Sequence, residues 1–218
     1  MVINSVMKKS LPFWLCLVAV SAVSESQVNA QAYCALRDPV SVIRRFNPES
    51  DGYRSLVGKV TAPVREQVSE RLPFTIHLKE LGAHTLYVAS RAGTPETLIH
   101  VRSEKGRWGL VEIAWILGLD LKVKGYAFQR CRDGNRELLE SDVVQAQFSG
   151  KGFVELRKML TEDGTRLRPG ALEVSPAGED LAETLVRSAL KTIAVTEIVW
   201  PEELKQMALL SSRSTAGR

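Results

Sequence analysis

The stretch GLVEIAWILGLDLKVKGYAF, residues 109–128, decides how the chain folds. Val111, Ile113, Trp115 and Leu117 occupy alternate positions, and beyond Gly118 so do Leu119, Leu121 and Val123, with Asp120, Lys122 and Lys124 between them. A period of two places alternate side chains on opposite faces of a strand, so this stretch reads as two strands, 109–117 and 119–128, broken at a glycine. Upstream the same period recurs in 74–78, 84–90 and 97–103, punctuated by Gly82, Gly93-Thr94-Pro95 and Lys105-Gly106. Connections this short force neighbouring strands to run antiparallel. The expected fold is α+β: a curved antiparallel β-meander packed by N-terminal and C-terminal helices.

The flanks carry the helices. Val40, Ile43 and Phe46, then Tyr53, Leu56, Val57 and Val60, recur at spacings of three and four, which predicts helices before residue 61. Thr61 is placed to cap a further helix, with Pro63 in its first turn and Val64 and Val68 on its stripe. Residues 33–73 therefore form a helical lead-in. Residues Cys131 to Ser141 read as a polar loop, and Phe153, Leu156, Met159 and Leu160 as one face of a short helix. A longer helix follows Ser175-Pro176, with Leu181, Leu185, Ala189 and Ile193 as its stripe and Glu179 and Asp180 at its positive end. Val195, Glu197 and Val199 alternate as a last strand, and residues 206–218 read as a polar tail that frays from Ser211. Residues 74–205 make one domain.

Residues 1–32 have the form of a secretory leader: Lys8 and Lys9, an apolar stretch from Leu11 to about Val23, and the exit Ala30-Gln31-Ala32. The apolar run falls short of the roughly 20 residues that a bilayer span requires. Cleavage would leave Tyr33 as the N-terminus of an exported, periplasmic protein with no membrane span of its own. Cys34 and Cys131 then share an oxidising compartment, where they either pair as a disulfide or stand as separate thiols. The formal charge of +4 on 218 residues is spread through the chain, which argues against nucleic acid as a partner. His77, His84 and His100 have no common ligand spacing, and no G-x-S-x-G elbow exists, so neither a metal site nor a hydrolase triad is expected. Trp108 and Trp115 fit inward core positions on strands better than a stacking platform.

The succession of a glycine-bounded meander, the loop RELLES (136–141), the stretch QFSGK (147–151) and a terminal helix opening at SPAG (175–178) resembles the exported FMN-binding domain family. That family includes flavin subunits of membrane redox pumps and periplasmic domains of nitrous-oxide-reductase regulators. The resemblance covers roughly residues 75–200. It implies an electron-transfer component rather than a substrate-turnover enzyme, working with a membrane redox complex or a periplasmic electron carrier. It places FMN near Lys151, Ser175, Ala177 and Gly178. Family members often carry Ser-Gly-Ala-Thr at the helix start, where the threonine takes the flavin phosphate as a phosphoester. Gly178 has no hydroxyl, so FMN here would be noncovalent. Ser175 lies before the helix, where capping would commit its hydroxyl, and Glu179 and Asp180 oppose a phosphate at the helix start. These departures leave open a second reading, a cofactor-free domain of the same layout acting as a binding or assembly partner of an envelope redox complex.

Overall fold

A computed structural model describes residues 37–216. The leader (1–32) and Cys34 lie outside the described residues. The chain runs α1 (Val40–Phe46), β1 (Gly52–Val60), α2 (Ala62–Arg71), a 3-10 turn (Leu78–Glu80), β2 (Gly82–Arg91), β3 (Thr94–Gly106), β4 (Gly109–Leu117) and β5 (Val123–Arg130). There follow α3 (Arg136–Leu139), α4 (Asp142–Phe148), α5 (Phe153–Lys158), a 3-10 turn (Pro176–Gly178), α6 (Glu179–Val199) and α7 (Pro201–Ala216). The strands form one antiparallel sheet in the order β1-β2-β3-β4-β5, a meander packed by helices, as expected. Register shifts at Ala89/Ser90, Glu112/Ile113 and Ile116/Leu117 bend and twist the strands that carry them. The β2–β3 hairpin turns through Ala92 and Gly93, both at positive φ (48° and 71°), the backbone that matches the right-handed twist of the flanking strands.

Both faces of the sheet are buried at its centre. On one, Leu86, Leu98, Ile113, Trp115 and Tyr126 pack against Leu185, Ala189 and Ile193 of α6. On the other, Ala89, Ile99, Val101, Ala114 and Ile116 meet Val42 and Ile43 of α1, with Phe46 at the margin. Helix α6 is buried almost all round over its second half, because α2, α5 and α7 surround it as well as the sheet.

The structure corrects several sequence expectations. Residues 52–60 are the edge strand β1, not a helix, paired from Gly52↔Ser90 to Val60↔Gly82. Its covered face presents Leu56, Gly58 and Val60, while Tyr53 and Val57 are exposed, so the three-and-four spacing joined residues of opposite faces. A Cβ on Gly58 would come within 2.8 Å of Trp200 Cε2, so the end of α6 crosses β1 only because no side chain stands there. Residues 74–78 are not a strand: Ile76 alone is buried, and the segment leads into the 3-10 turn. Strand β5 begins at Val123, after a turn over 118–122 in which Leu121 takes φ 60°. Val195, Glu197 and Val199 belong to α6, and residues 211–216 belong to α7 rather than to a frayed tail. The region 131–141 contains α3 and is not entirely loop. Trp115 is fully buried, but Trp108 sits in the β3–β4 turn and is 59% exposed, with Arg107 stacked on its ring at 5.4 Å. No helix among the described residues is long and apolar enough to cross a membrane.

Candidate functional site: a charged cavity between the sheet and α6

Strand β3 turns Leu98, His100, Arg102 and Glu104 toward α6. The first two continue the apolar core; the last two bring charge under the helix. Arg102 and Glu104 are 3% and 8% exposed, Lys191 on α6 is 7% exposed, and Glu80 at the end of the first 3-10 turn is 7% exposed. Glu80 is placed by local geometry: its Oε1 accepts the backbone N–H of His77 (3.2 Å), while His77 Nδ1 accepts the N–H of Lys79 (3.1 Å). This reciprocal cap aims the carboxylate into the protein.

The four charges meet there. The Lys191 ammonium donates to Glu80 Oε1 (3.1 Å) and to Glu104 Oε2, and Arg102 Nη2 donates to Glu80 Oε2. Arg102 Nε lies 3.8 Å from Glu104 Oε1. Burial by itself would raise the Glu80 carboxyl, but the charges of Arg102 and Lys191 overcome it and bring it down to about 2. Two cations thus balance two anions at a site where each unpaired ion would cost several kcal/mol.

Glu80, Glu104 and Lys191 of this cluster line the floor of an open cavity of about 650 Å3, a volume in the range of small-molecule sites, and Arg102 backs them without lining it. Lys79, Lys105 and Arg187 stand around it, and Phe74 supplies an apolar wall over which Arg187 lies at 4.7 Å. Arg187 also faces Glu183, with 3.6 Å between Nη1 and Oε1.

Next to the cluster on the same face lie two histidines, ring to ring at 5.8 Å. His84 Nε2 is 2.8 Å from the carbonyl oxygen of Glu80 and donates to it. His100 Nδ1 is 2.9 Å from Thr196 Oγ1, whose own hydrogen goes to the carbonyl of Thr192, so His100 carries its proton on Nδ1. Burial first, and then the positive charge of Arg102, holds both rings below the ordinary histidine value, His84 at about 4. A histidine depressed in the folded state contributes stability that is complete above its unfolded value and is lost as pH falls through the folded one. Between about pH 6.5 and pH 4 the protein is therefore expected to lose roughly 2 to 3 kcal/mol through His84 alone. Urea unfolding at pH 7 and pH 5 checks this; a His84→Gln, His100→Gln double variant should show a flatter dependence, and an unchanged slope would contradict it.

The residues that the sequence assigned to a flavin lie elsewhere. Gly178 is buried under α3, where an added Cβ would meet Leu139 Cδ2 at 3.3 Å and Leu138 Cδ2 at 3.5 Å. The carbonyl of Ala177 accepts a hydrogen bond from Asn135 Nδ2 (2.8 Å). Ser175 precedes the 3-10 turn in extended conformation, and its hydroxyl makes no capping bond, contrary to expectation; Thr61 likewise stands at the start of α2 without a side-chain cap. Lys151 is half-buried and fastened by its backbone, its N–H to the carbonyl of Phe148 and its carbonyl to the N–H of Val123. No hydrogen bond among the described residues joins Lys151 to Ser175, Ala177 or Gly178. The cavity beside the start of α6, about 230 Å3, is lined by Arg166, Arg168, Glu179, Asp180 and Glu183 among others, and by none of those four. Glu140 in the 136–141 segment is structural: it accepts from the N–H of Phe128 (2.9 Å) and from Arg136 Nε (3.0 Å). Cys131 is half-buried, and burial raises its thiol.

The charged floor escaped the sequence reading, although a signal for half of it was present. Arg102 and Glu104 share the alternate positions of Leu98 and His100, so charge follows the buried face of a strand. No protein-family model and no curated protein matches the chain.

Proposed function

We propose that the chain is an exported binding module that works without a bound flavin, an accessory partner of an envelope redox complex. The envelope redox setting rests on the resemblance of residues 75–200 to FMN-binding domains. The observation that carries the cofactor-free reading is the start of α6, where Leu138 and Leu139 pack over Gly178 and Asn135 occupies the carbonyl of Ala177. A flavin phosphate at this helix start would displace that packing and face Glu179 and Asp180 in the first turn. The charged cavity between the sheet and α6 gives the module a binding site of its own.

The test is the visible absorption spectrum of protein purified from its native envelope, before and after denaturation. A colourless protein is expected. A yellow band released by denaturation, with the bare polypeptide mass remaining, would overturn this reading in favour of an electron-transfer protein with noncovalent FMN.

A further inference from the structure

We propose that the cavity over the Glu80–Arg102–Glu104–Lys191 cluster binds a small phosphate monoester, a ligand class that rests on the reading of the chain as a binding module. The charge around the cavity has two layers. In the floor, Glu80 and Glu104 are matched by Lys191, which lines the cavity with them, and by Arg102 behind them, so the cluster is neutral as a whole. Above it stand Lys79, Lys105 and Arg187. Glu183 lies 3.6 Å from Arg187, and among the described residues neither Lys79 nor Lys105 has an ion pair. The upper layer therefore keeps an excess of two positive charges, which a dianion neutralises.

The floor adds a donor. An ammonium has three N–H groups, and Lys191 spends one on Glu80 and one on Glu104. The third is used by no hydrogen bond among the described residues, and Lys191 lines the cavity. Because Glu80 and Glu104 hold Lys191 in place, its remaining N–H is preorganised for an acceptor, and little side-chain entropy is left to lose on binding. Arg187 presents the planar fork that suits phosphate oxygens. Phe74 offers the ester's organic group an apolar surface beside the charged layer. About 650 Å3 exceeds what inorganic phosphate needs and leaves room for that group.

Calorimetric titration of the purified chain with phenyl phosphate, inorganic phosphate, succinate and phenol provides the test. Phenyl phosphate is expected to bind saturably and more tightly than inorganic phosphate, phenol not at all, and the affinity should fall as salt is raised. Lys79→Ala and Lys105→Ala lie at the rim and should keep the wild-type unfolding midpoint, while each weakens phenyl phosphate about tenfold. Lys151→Ala should leave binding unchanged. Absence of saturable binding, binding that ignores both rim substitutions, or tighter binding of succinate would each overturn the assignment. Loss of phosphate binding in a colourless protein defeats this inference and leaves the binding-module reading in place; phosphate binding in a protein purified yellow defeats that reading instead.

Discussion

Replacing Lys191 by methionine is expected to lower the unfolding free energy at pH 7 by about 3 to 5 kcal/mol, the usual cost of removing one partner from a buried ion group. The side chain is 9% exposed and lies between two carboxylates, so its loss leaves Glu80 and Glu104 to share the single cation Arg102. Methionine nearly matches the stem in volume, which keeps cavity formation out of the comparison. The pH dependence separates lost charge from lost packing. In the native protein Glu80 is depressed to about 2, so it contributes stability above its unfolded value that disappears only as pH falls toward 2. Without Lys191 the burial that already opposes its ionisation gains weight, the carboxyl rises, and the folded variant takes up a proton more readily. The deficit relative to wild type should therefore shrink between pH 7 and pH 4.5. Urea denaturation of both proteins at the two pH values measures it; a deficit under about 1 kcal/mol, or one indifferent to pH, would falsify the ionic account of the floor.

Trp115→Ala is expected to cost about 3 to 5 kcal/mol, the range for removing a large aromatic from a packed core. The indole is fully buried on β4, with ring centroids 5.2 Å from Tyr126 and 5.9 Å from Phe148. It joins three elements: Tyr126 on β5 donates its hydroxyl to the carbonyl of Leu139 in α3, Phe148 ends α4, and the indole N–H donates to Ser188 Oγ on α6 at 3.0 Å. Truncation opens a void that these neighbours fill only in part and takes the donor away from Ser188. Trp115→Phe keeps most of the ring and loses the hydrogen bond, so it should cost well under half as much. Chemical denaturation of the two variants decides it, and equal losses would place the importance of Trp115 in the hydrogen bond rather than in the ring.

The sheet's central strands were legible because the large residues Val111, Ile113, Trp115 and Leu117 recur at alternate positions of β4 and because short turns at Gly93 and Gly106 leave no room for anything but hairpins. Strand β1 was not. Its covered face includes Gly58, which carries no hydrophobic signal, while Tyr53 and Val57 on the open face supplied a false three-and-four spacing. The opposite error arose in α6, where Val195, Glu197 and Val199 alternate although the segment is helical; a helix covered on nearly all sides has no single stripe to betray its period. The hydrogen bonds of the charged floor join residues 22 to 111 positions apart, which local patterns do not encode. Glu80 lies in a 3-10 turn just past the segment 74–78 that was read as a strand, and Lys191 lies beside the apolar stripe of α6, where a solvated lysine would look the same. The signal that was available, charge on the inward positions 102 and 104, has meaning only once the sheet face covered by α6 is known.

An apolar stripe on a helix is nearly indifferent to sliding along an apolar sheet, since one turn of displacement exchanges leucine for leucine. Helix α6 carries a row of polar groups along its buried side: Ser188 bonded to Trp115, Lys191 to Glu80 and Glu104, and Thr196 to His100. These partners sit on β4, on the 3-10 turn and on β3, at fixed places along the helix. A slip of one turn, about 5.4 Å, carries each donor and acceptor beyond hydrogen-bonding reach of its mate and buries them all unpaired. The hydrophobic contacts hold the helix on the sheet, and the polar row works as a key that admits a single axial position.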